Sequence, residues 1–446
     1  MGSAGALLVV LVNNAKYRAL REPFLFSDFG LFSQALRHPR LYLPFLGVGR
    51  ALAGIAAFAA ALYLGIRLEP GLPAMIGTAA YLVVSCSGLV LGAGLLTLGS
   101  HRAPSPTLQP LRDVRELGLA ASLWLYWRME RRDAAVPATA TAAQHAASTP
   151  PALCAPAGSQ PPHIVAVQSE SFFDARRLSA RVRPELLRAF DRARAASMLH
   201  GRLEVPAWGA NTMRTEFGFL TGIDADRLGI HQFNPYRQFA RKPIPSLASR
   251  LRAIGYRTLC IHPHPASFFA RDQVYPQLGF DRFIDIRAFD RNDRCGPYIC
   301  DRAVSDMIGE ILDSANQPTF VFAITMENHG PLHLEKVAPG DAEALYVEPP
   351  PAGCEDLTIY LRHLRNADRM LDALIADLGQ QPRQGVLCWF GDHVPSMPGV
   401  YAAAGYDDGH TDYLIWRGGS ETPSQRELRI ERLGDAVLAA AGLQGY

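Results

Sequence analysis

The sequence predicts an α/β domain, a largely parallel sheet with helices on both faces, preceded by transmembrane helices. Three observations carry this expectation. Short apolar runs of the buried-strand type at 164–167, 258–261, 319–324, 386–390 and 413–416 alternate with helical patterns. The clearest helical pattern runs over 357–378, with leucine at 357, 361, 364, 371, 374 and 378. Hydrophobic residues make up 48% of the chain but crowd into its first hundred positions.

In chain order, residues 5–12 are apolar but short of the roughly 20 residues a membrane-spanning helix takes. No basic stretch precedes them and no small-residue cleavage site follows, so they make a poor signal peptide. They are expected to be the tail of a transmembrane helix whose beginning lies outside this chain. Residues 14–40 are polar and basic, with Lys16, Arg18, Arg21, Arg37 and Arg40. Two spans are expected next: 41–66, interrupted only by Arg50, and 72–98, which carries no charge. These complete a membrane region over 1–106. Residues 107–132 are expected to form a juxtamembrane amphipathic helix. There Leu111, Val114, Leu117, Trp124, Leu125 and Trp127 alternate with Arg112, Arg115 and Arg128. Residues 133–162 turn to Ala, Pro, Thr and Ser and read as a linker with too little apolar surface to fold alone. The remaining stretch, 163–446, is long enough for one sizeable domain.

A net charge of +2 gives no electrostatic case for nucleic acid. The seven cysteines include no CxxC pair or Cys/His ladder that would suggest zinc. Cys295 and Cys300 flank Gly-Pro-Tyr-Ile, a spacing compatible with a small disulfide or with two free thiols.

In a parallel α/β sheet the ligand site lies at the carboxyl ends of the strands. Glu170, His262, His329 and the Asp392-His393 pair each follow a strand candidate. Trp208-Gly209-Ala210-Asn211-Thr212 is a Gly-rich approach to a run with helical periodicity at Met213, Phe217 and Leu220. Thr212 is thereby placed in a first helical turn, where free N–H groups and the helix dipole favour an anion. A lone threonine there ordinarily serves as a cap. With a metal ion to lower its hydroxyl pKa it becomes a nucleophile. Glu170, Thr212, Asp392 and His393 supply two carboxylates, a hydroxyl and an imidazole. That donor set suits one divalent cation, Mn²⁺ first, then Mg²⁺, with Zn²⁺ less favoured.

Ser169-Glu170-Ser171-Phe172, Gly209…Asn211-Thr212…Glu216-Phe217, Asn328-His329-Gly330-Pro331 and Gly391-Asp392-His393 resemble a known family. So do Phe268-Phe269-Ala270-Arg271-Asp272-Gln273-Val274-Tyr275 and Leu278-Gly279-Phe280-Asp281. The family is the lipoteichoic acid synthase and phosphoglycerol transferase branch of the alkaline phosphatase/sulfatase superfamily, and the resemblance spans about 163–420. It implies an alkaline-phosphatase-like domain anchored as a multi-pass protein of the inner (cytoplasmic) membrane, with the catalytic domain outside. It further implies Thr212 as nucleophile, Glu170, Asp392 and His393 as its fellow metal ligands, and His262, Phe269, Arg271 and His329 as substrate-binding residues. A membrane lipid would donate the head group and a glycan or polymer hydroxyl would accept it. The family carries Trp where Phe269 stands. Counting basic residues on the two sides of the first full span points the domain inward instead; the expected topology follows the resemblance. Two alternatives stand beside the transferase: a sulfatase-type hydrolase of sulfate or phosphate esters, and an inactive glycan- or lipid-binding relative. The first lacks here the C/S-x-P-x-R motif that sulfatases convert to an aldehyde hydrate.

Overall fold

Every apolar run read above as a strand lies in one sheet of the computed structural model. The structure describes residues 2–31, 48–68, 75–102, 105–135, 153–154, 160–240, 243–350, 352–419 and 422–445. They divide into two compact units, Met1–Val136 and Pro137–Tyr446.

The first unit is helical: α1 (Gly2–Leu20), α2 (Val48–Leu68), α3 (Thr78–Arg102), α4 (Pro110–Leu117) and α5 (Leu119–Ala135). Residues 5–12 lie inside α1. Among the described residues one helix is long and apolar enough to cross a membrane, the Thr78–Gly99 part of α3. The expected span at 41–66 is represented by α2, whose apolar part Leu52–Gly65 is shorter than a span requires. Its first residues, 41–47, and the first of the other expected span, 72–74, lie outside the described residues.

The single helix expected over 107–132 is two helices. Pro110 opens α4, where its missing N–H costs nothing. Gly118 closes it with φ 82° and an N–H donated to the Val114 carbonyl, which leucine or arginine could not do without strain. Asp113 is buried and accepts hydrogen bonds from Thr107 N–H (2.9 Å), Leu108 N–H (3.0 Å) and the Tyr126 hydroxyl (2.7 Å). It fastens the start of α4 to α5, so α5 has a protein-facing side with Ser122, Leu125 and Tyr126 buried.

Within the expected linker, Leu153–Cys154 pairs antiparallel with Gln444–Gly445; residues 136–152 and 155–159 lie outside the described residues.

The main sheet of the second unit contains β1 (His163–Ser169), β2 (Leu199–Glu204), β3 (Arg257–Ile261), β4 (Arg282–Ile284), β5 (Thr319–Ile324), β6 (Gly385–Gly391), β7 (Thr411–Arg417), β8 (Ser424–Gln425) and β9 (Leu428–Arg429). Its order is β8-β2-β7-β6-β1-β5-β3-β4, with β9 also on β2. From β6 to β4 all neighbours are parallel, and β7 runs antiparallel to both β6 and β2.

Helices cover both faces: α6 (Arg188–Ala195), α7 (Thr212–Thr221), α8 (Leu247–Ala253), α9 (Arg271–Gln277), α10 (Asp301–Asp313), α11 (Glu355–Gln380) and α12 (Ile430–Ala440). The period-two alternation of β1 sorts its residues between two cores. Val165 and Val167 join Phe190, Ile308, Leu361 and Leu371 beneath α6, α10 and α11. Ile164 and Ala166 join Phe217, Leu251, Leu433 and Val437 beneath α7, α8 and α12. A strand covered on both faces must be apolar throughout, which is why these runs are continuous. Each fully buried Val, Leu, Ile or Phe contributes about 1.5–3 kcal/mol. The expected helix at 357–378 is α11. Glu355 and Asp356 in its first turn oppose the helix dipole, and the chain turns extended at Gln381 ahead of Pro382.

Candidate active site

β1 and β6 are parallel neighbours with Ser169 opposite Gly391. The residues that follow them, Glu170 and Asp392-His393, therefore leave the sheet side by side. Gly391 is required there, because a Cβ would fall 1.8 Å from the Phe172 carbonyl oxygen. Glu170, Asp392 and His393 are all buried, and one ligand atom from each lies within 4.8 Å of the others. His393 Nε2 is 3.3 Å from Asp392 Oδ2 and 3.7 Å from Glu170 Oε1.

The chemistry of these atoms tests whether a cation fits. Asp392 Oδ1 accepts the N–H groups of Ser171 (2.9 Å) and His393 (3.0 Å). Asp392 Oδ2 and His393 Nε2 are buried and have no hydrogen-bond partner. His393 Nδ1 lies 3.1 Å from the Val394 carbonyl, which can only accept, so Nδ1 carries the proton and Nε2 presents a lone pair. Leaving such atoms buried and unmatched costs about 1–3 kcal/mol each. A divalent cation satisfies both at once, so the residues fit a metal centre. Burial raises the Glu170 pKa, and the neighbouring Asp392 charge raises it further, against His393, the Ser171 hydroxyl and Arg271. Bound positive charge would offset both.

Ser171 holds φ 56°, a left-handed conformation that serine seldom takes. Three hydrogen bonds fix it. Its N–H goes to Asp392, its hydroxyl donates to Glu170 (2.9 Å), and its carbonyl accepts the Tyr360 hydroxyl (2.7 Å). Strain held this firmly is typical of functional sites.

Thr212 is the first residue of α7 and is buried. Its helix is fastened to the Asp392-His393 segment on both sides of it. Gly209 N–H donates to the Val394 carbonyl (2.9 Å), and the Thr215 hydroxyl donates to the Asp392 carbonyl (2.8 Å). Asn211, in the N-cap position, has φ 66° and makes no side-chain cap. The capping duty a polar residue usually performs at a helix start is thus unfilled, and the first-turn N–H groups suit an anion.

The remaining expected residues come from the segments that follow β3 and β5. His262 directly follows β3. Its Nδ1 donates to the Ile324 carbonyl (3.1 Å), and burial, then Arg271 and His264, hold its pKa well below the ordinary imidazole value. His329 follows β5, with Nδ1 2.6 Å from the Gly330 carbonyl and its pKa lowered chiefly by burial. The lowered pKa of each ring favours its neutral form, in which Nδ1 holds the proton against a carbonyl and Nε2 can accept from hydroxyl donors. Phe269 has φ 55°, packs on Phe268 at 4.2 Å, and lies 5.2 Å from the Arg271 guanidinium. Arg271 is buried and engaged by Glu216 of α7, with Nε 3.1 Å from Oε2 and Nη2 on Oε1. Its charge is felt at Glu170, His262 and His329.

Three residues beside these had no role assigned from the sequence. Glu216 also accepts the hydroxyls of Tyr236 (2.6 Å) and Tyr275 (2.8 Å), a role visible only once distant residues meet. His264 stacks edge-on against Phe268 at 4.8 Å. Asn328 is buried beside His329 with neither amide atom partnered. Its place between Glu327 and His329 directly after β5 was the available signal. Cys295 and Cys300 are disulfide-bonded, and nearby Tyr298 donates to the Gly330 carbonyl (3.1 Å).

The family model described as Sulfatase matches residues 162–443. Capsular polysaccharide biosynthesis protein RkpI of Rhizobium meliloti (strain 1021) is 28% identical over 429 residues, covering 91% of this chain and 74% of that protein. Another protein of that strain, whose name assigns it to cyclic beta-1,2-glucan modification, is 30% identical over 251 residues; the match covers 56% of this chain and 38% of that longer relative. Among solved structures, the Streptococcus pyogenes phosphoglycerol transferase GacH in complex with sn-glycerol-1-phosphate superposes with a TM-score of 0.53 at 22% identity, covering 63% of this chain and 75% of that one. At that identity the likeness is one of fold.

Proposed function

The chain belongs to the sulfatase family, and from that premise we propose that it is a membrane-anchored, metal-dependent phosphotransferase. It moves phosphoglycerol, or a related phospho-head-group, from a membrane lipid to a glycan or polymer hydroxyl of the cell envelope, through a phosphothreonine at Thr212. The observation that carries the reading is the pair of orphaned buried atoms, Asp392 Oδ2 and His393 Nε2, beside Glu170 and the first turn of α7.

A divalent cation held by Glu170, Thr212, Asp392 and His393, Mn²⁺ by preference of the donor set, would acidify a bound hydroxyl and polarise phosphoryl oxygens. The Thr212 hydroxyl attacks the head-group phosphorus; the Oγ1–P bond forms and the bond to the diacylglycerol oxygen breaks, that oxygen leaving with a proton. An acceptor hydroxyl then attacks the same phosphorus and Thr212 is released. Arg271 opposes the phosphoryl charge from a fixed position. The bare Nε2 atoms of His262 and His329 accept from head-group hydroxyls, with Phe269 against the glycerol carbons.

The substrate class draws support from the S. pyogenes structure, which holds sn-glycerol-1-phosphate. The names of the two Rhizobium relatives, in polysaccharide biosynthesis and glucan modification, support the acceptor class. Threonine at 212, instead of the Cys or Ser that an aldehyde hydrate requires, favours phosphoryl over sulfuryl transfer. The apolar α3 favours anchoring, and the Cys295–Cys300 disulfide favours an oxidising, extracytoplasmic setting for the catalytic unit. The test is to give the full chain radiolabelled phosphatidylglycerol with Mn²⁺ and envelope glycan. Label should enter glycan and be lost on chelation; label released only into water would replace the transferase with a hydrolase.

A further inference from the structure

We propose that the membrane unit binds the phosphodiester head group of an anionic membrane lipid in a groove between α3 and α5. The inference goes beyond the catalytic reading and stands whether or not Thr212 transfers anything. The groove measures about 490 Å³. Its wall on α5 is made by Trp124, Trp127, Arg128, Arg131 and Arg132. The first four recur at the i, i+3, i+4, i+7 spacing of one helix face, whereas Leu125 and Tyr126 point into the protein. The opposite wall, on α3, is made by the small residues Ala93, Gly94 and Thr97.

Four features point to an anionic lipid. Three arginines and no acidic residue line the groove, and none of the three is ion-paired among the described residues. Their guanidinium groups suit the oxygens of a phosphodiester. Trp124 Nε1 is buried and its N–H has no acceptor. The two indoles lie 4.6 Å apart and the Arg131 guanidinium sits 5.2 Å over the Trp127 ring, which holds that charge at the groove. Finally, the α3 wall belongs to the apolar Thr78–Gly99 segment, close to its end. Hydrocarbon gives way to head groups at that level, and Trp with Arg is the residue pairing suited to it. A soluble phosphate would use the arginines but not the apolar wall, so the occupant is a lipid.

The test uses full-length protein carrying Thr212→Ala, which prevents turnover, in nanodiscs of phosphatidylcholine doped with phosphatidylglycerol. Lipid retained after extraction is read by native mass spectrometry, with sn-glycerol-1-phosphate as a soluble competitor. Phosphatidylglycerol should be retained at least tenfold over phosphatidylcholine, and the soluble competitor should not displace it. Arg128→Gln/Arg131→Gln/Arg132→Gln should abolish the preference, whereas Arg112→Gln/Arg115→Gln on α4 should keep it. Gly94→Leu changes no charge and meets nothing within 4 Å at its Cβ, so it fills the groove and should also abolish retention. Equal retention of both lipids by the parent protein, unaltered preference in the triple variant or in Gly94→Leu, or displacement by soluble glycerol phosphate would overturn the proposal.

Discussion

Glu216 of α7 and Arg271 of α9 form an ion pair from which water is excluded, with side-chain exposures of 0% and 2%. Glu216 lies one turn beyond Thr212, so the pair ties α7 to the segment in which Phe269 and Ala270 both adopt left-handed conformations. Removing one partner of such a pair leaves a buried, uncompensated charge. Glu216→Ala should therefore cost about 3–5 kcal/mol in urea unfolding. Arg271→Lys keeps the charge but cannot span both carboxylate oxygens. It should lose about 1–3 kcal/mol of stability and most of its turnover. An Arg271→Lys enzyme with wild-type kinetics would remove Arg271 from the phosphoryl site.

The proposed metal centre makes opposite demands with and without a cation. In the metal-free protein Glu170 and Asp392 repel each other within a buried site. Asp392→Asn keeps an oxygen for the Ser171 and His393 N–H groups while relieving that repulsion. It should leave the metal-free protein equally or more stable at neutral pH. Added Mn²⁺ at a hundred times its Kd should stabilise the wild type by about 2.7 kcal/mol and the variant by far less. Equal stabilisation of both proteins in a thermal melt would exclude Asp392 as a ligand.

A third expectation concerns pH. His363 of α11 is buried between Glu327 and Glu335, each 2.9 Å from a ring nitrogen. Burial disfavours its charge, but the hydrogen bonds to the two carboxylates outweigh that and raise its pKa from 6.5 to about 9. A raised folded-state pKa contributes stability in full below 6.5 and loses it as pH climbs through about 9. The shift corresponds to on the order of 3 kcal/mol. The urea midpoint of the wild type, relative to His363→Gln, should fall between pH 6.5 and pH 9.5. A constant difference across that window would mean the ring is neutral.

The strands were legible because a strand covered on both faces has to be apolar, and Glu170 and Asp392 stood out because each directly follows such a strand. β2 escaped notice, since Leu199–Glu204 carries His200, Arg202 and Glu204 on a partly open edge region of the sheet. The reversal of β7 was invisible too, because an apolar run carries no direction. The break at Gly118 hid within a continuous amphipathic pattern, where one glycine is compatible with a single helix. Glu216 stands 55 residues from Arg271, and no local pattern links two such positions. Phe269 and Arg271 were noticed through family resemblance, but the ion pair that immobilises Arg271 came only with the fold.

Compartment is open to direct measurement. Residues 163–446 are expected outside the cytoplasmic membrane, so the unreduced peptide bearing Cys295 and Cys300 should be lighter by two hydrogens than its reduced form. A reporter fused after Tyr446 should be active only outside. A fusion active only in the cytoplasm would reverse the proposed topology.

Thr212 opens α7 and the N-cap position makes no side-chain bond, so Thr212→Ala should cost no more than about 1 kcal/mol of stability. Thr212→Ser should retain part of the activity. The most direct measurement is peptide mass spectrometry after brief exposure of Mn²⁺-loaded protein to phosphatidylglycerol without acceptor. Phosphoglycerol on Thr212, absent after chelation and absent in Thr212→Ala, is the predicted result. No adduct on Thr212, together with a Thr212→Ala variant that transfers head groups at the wild-type rate, would contradict it.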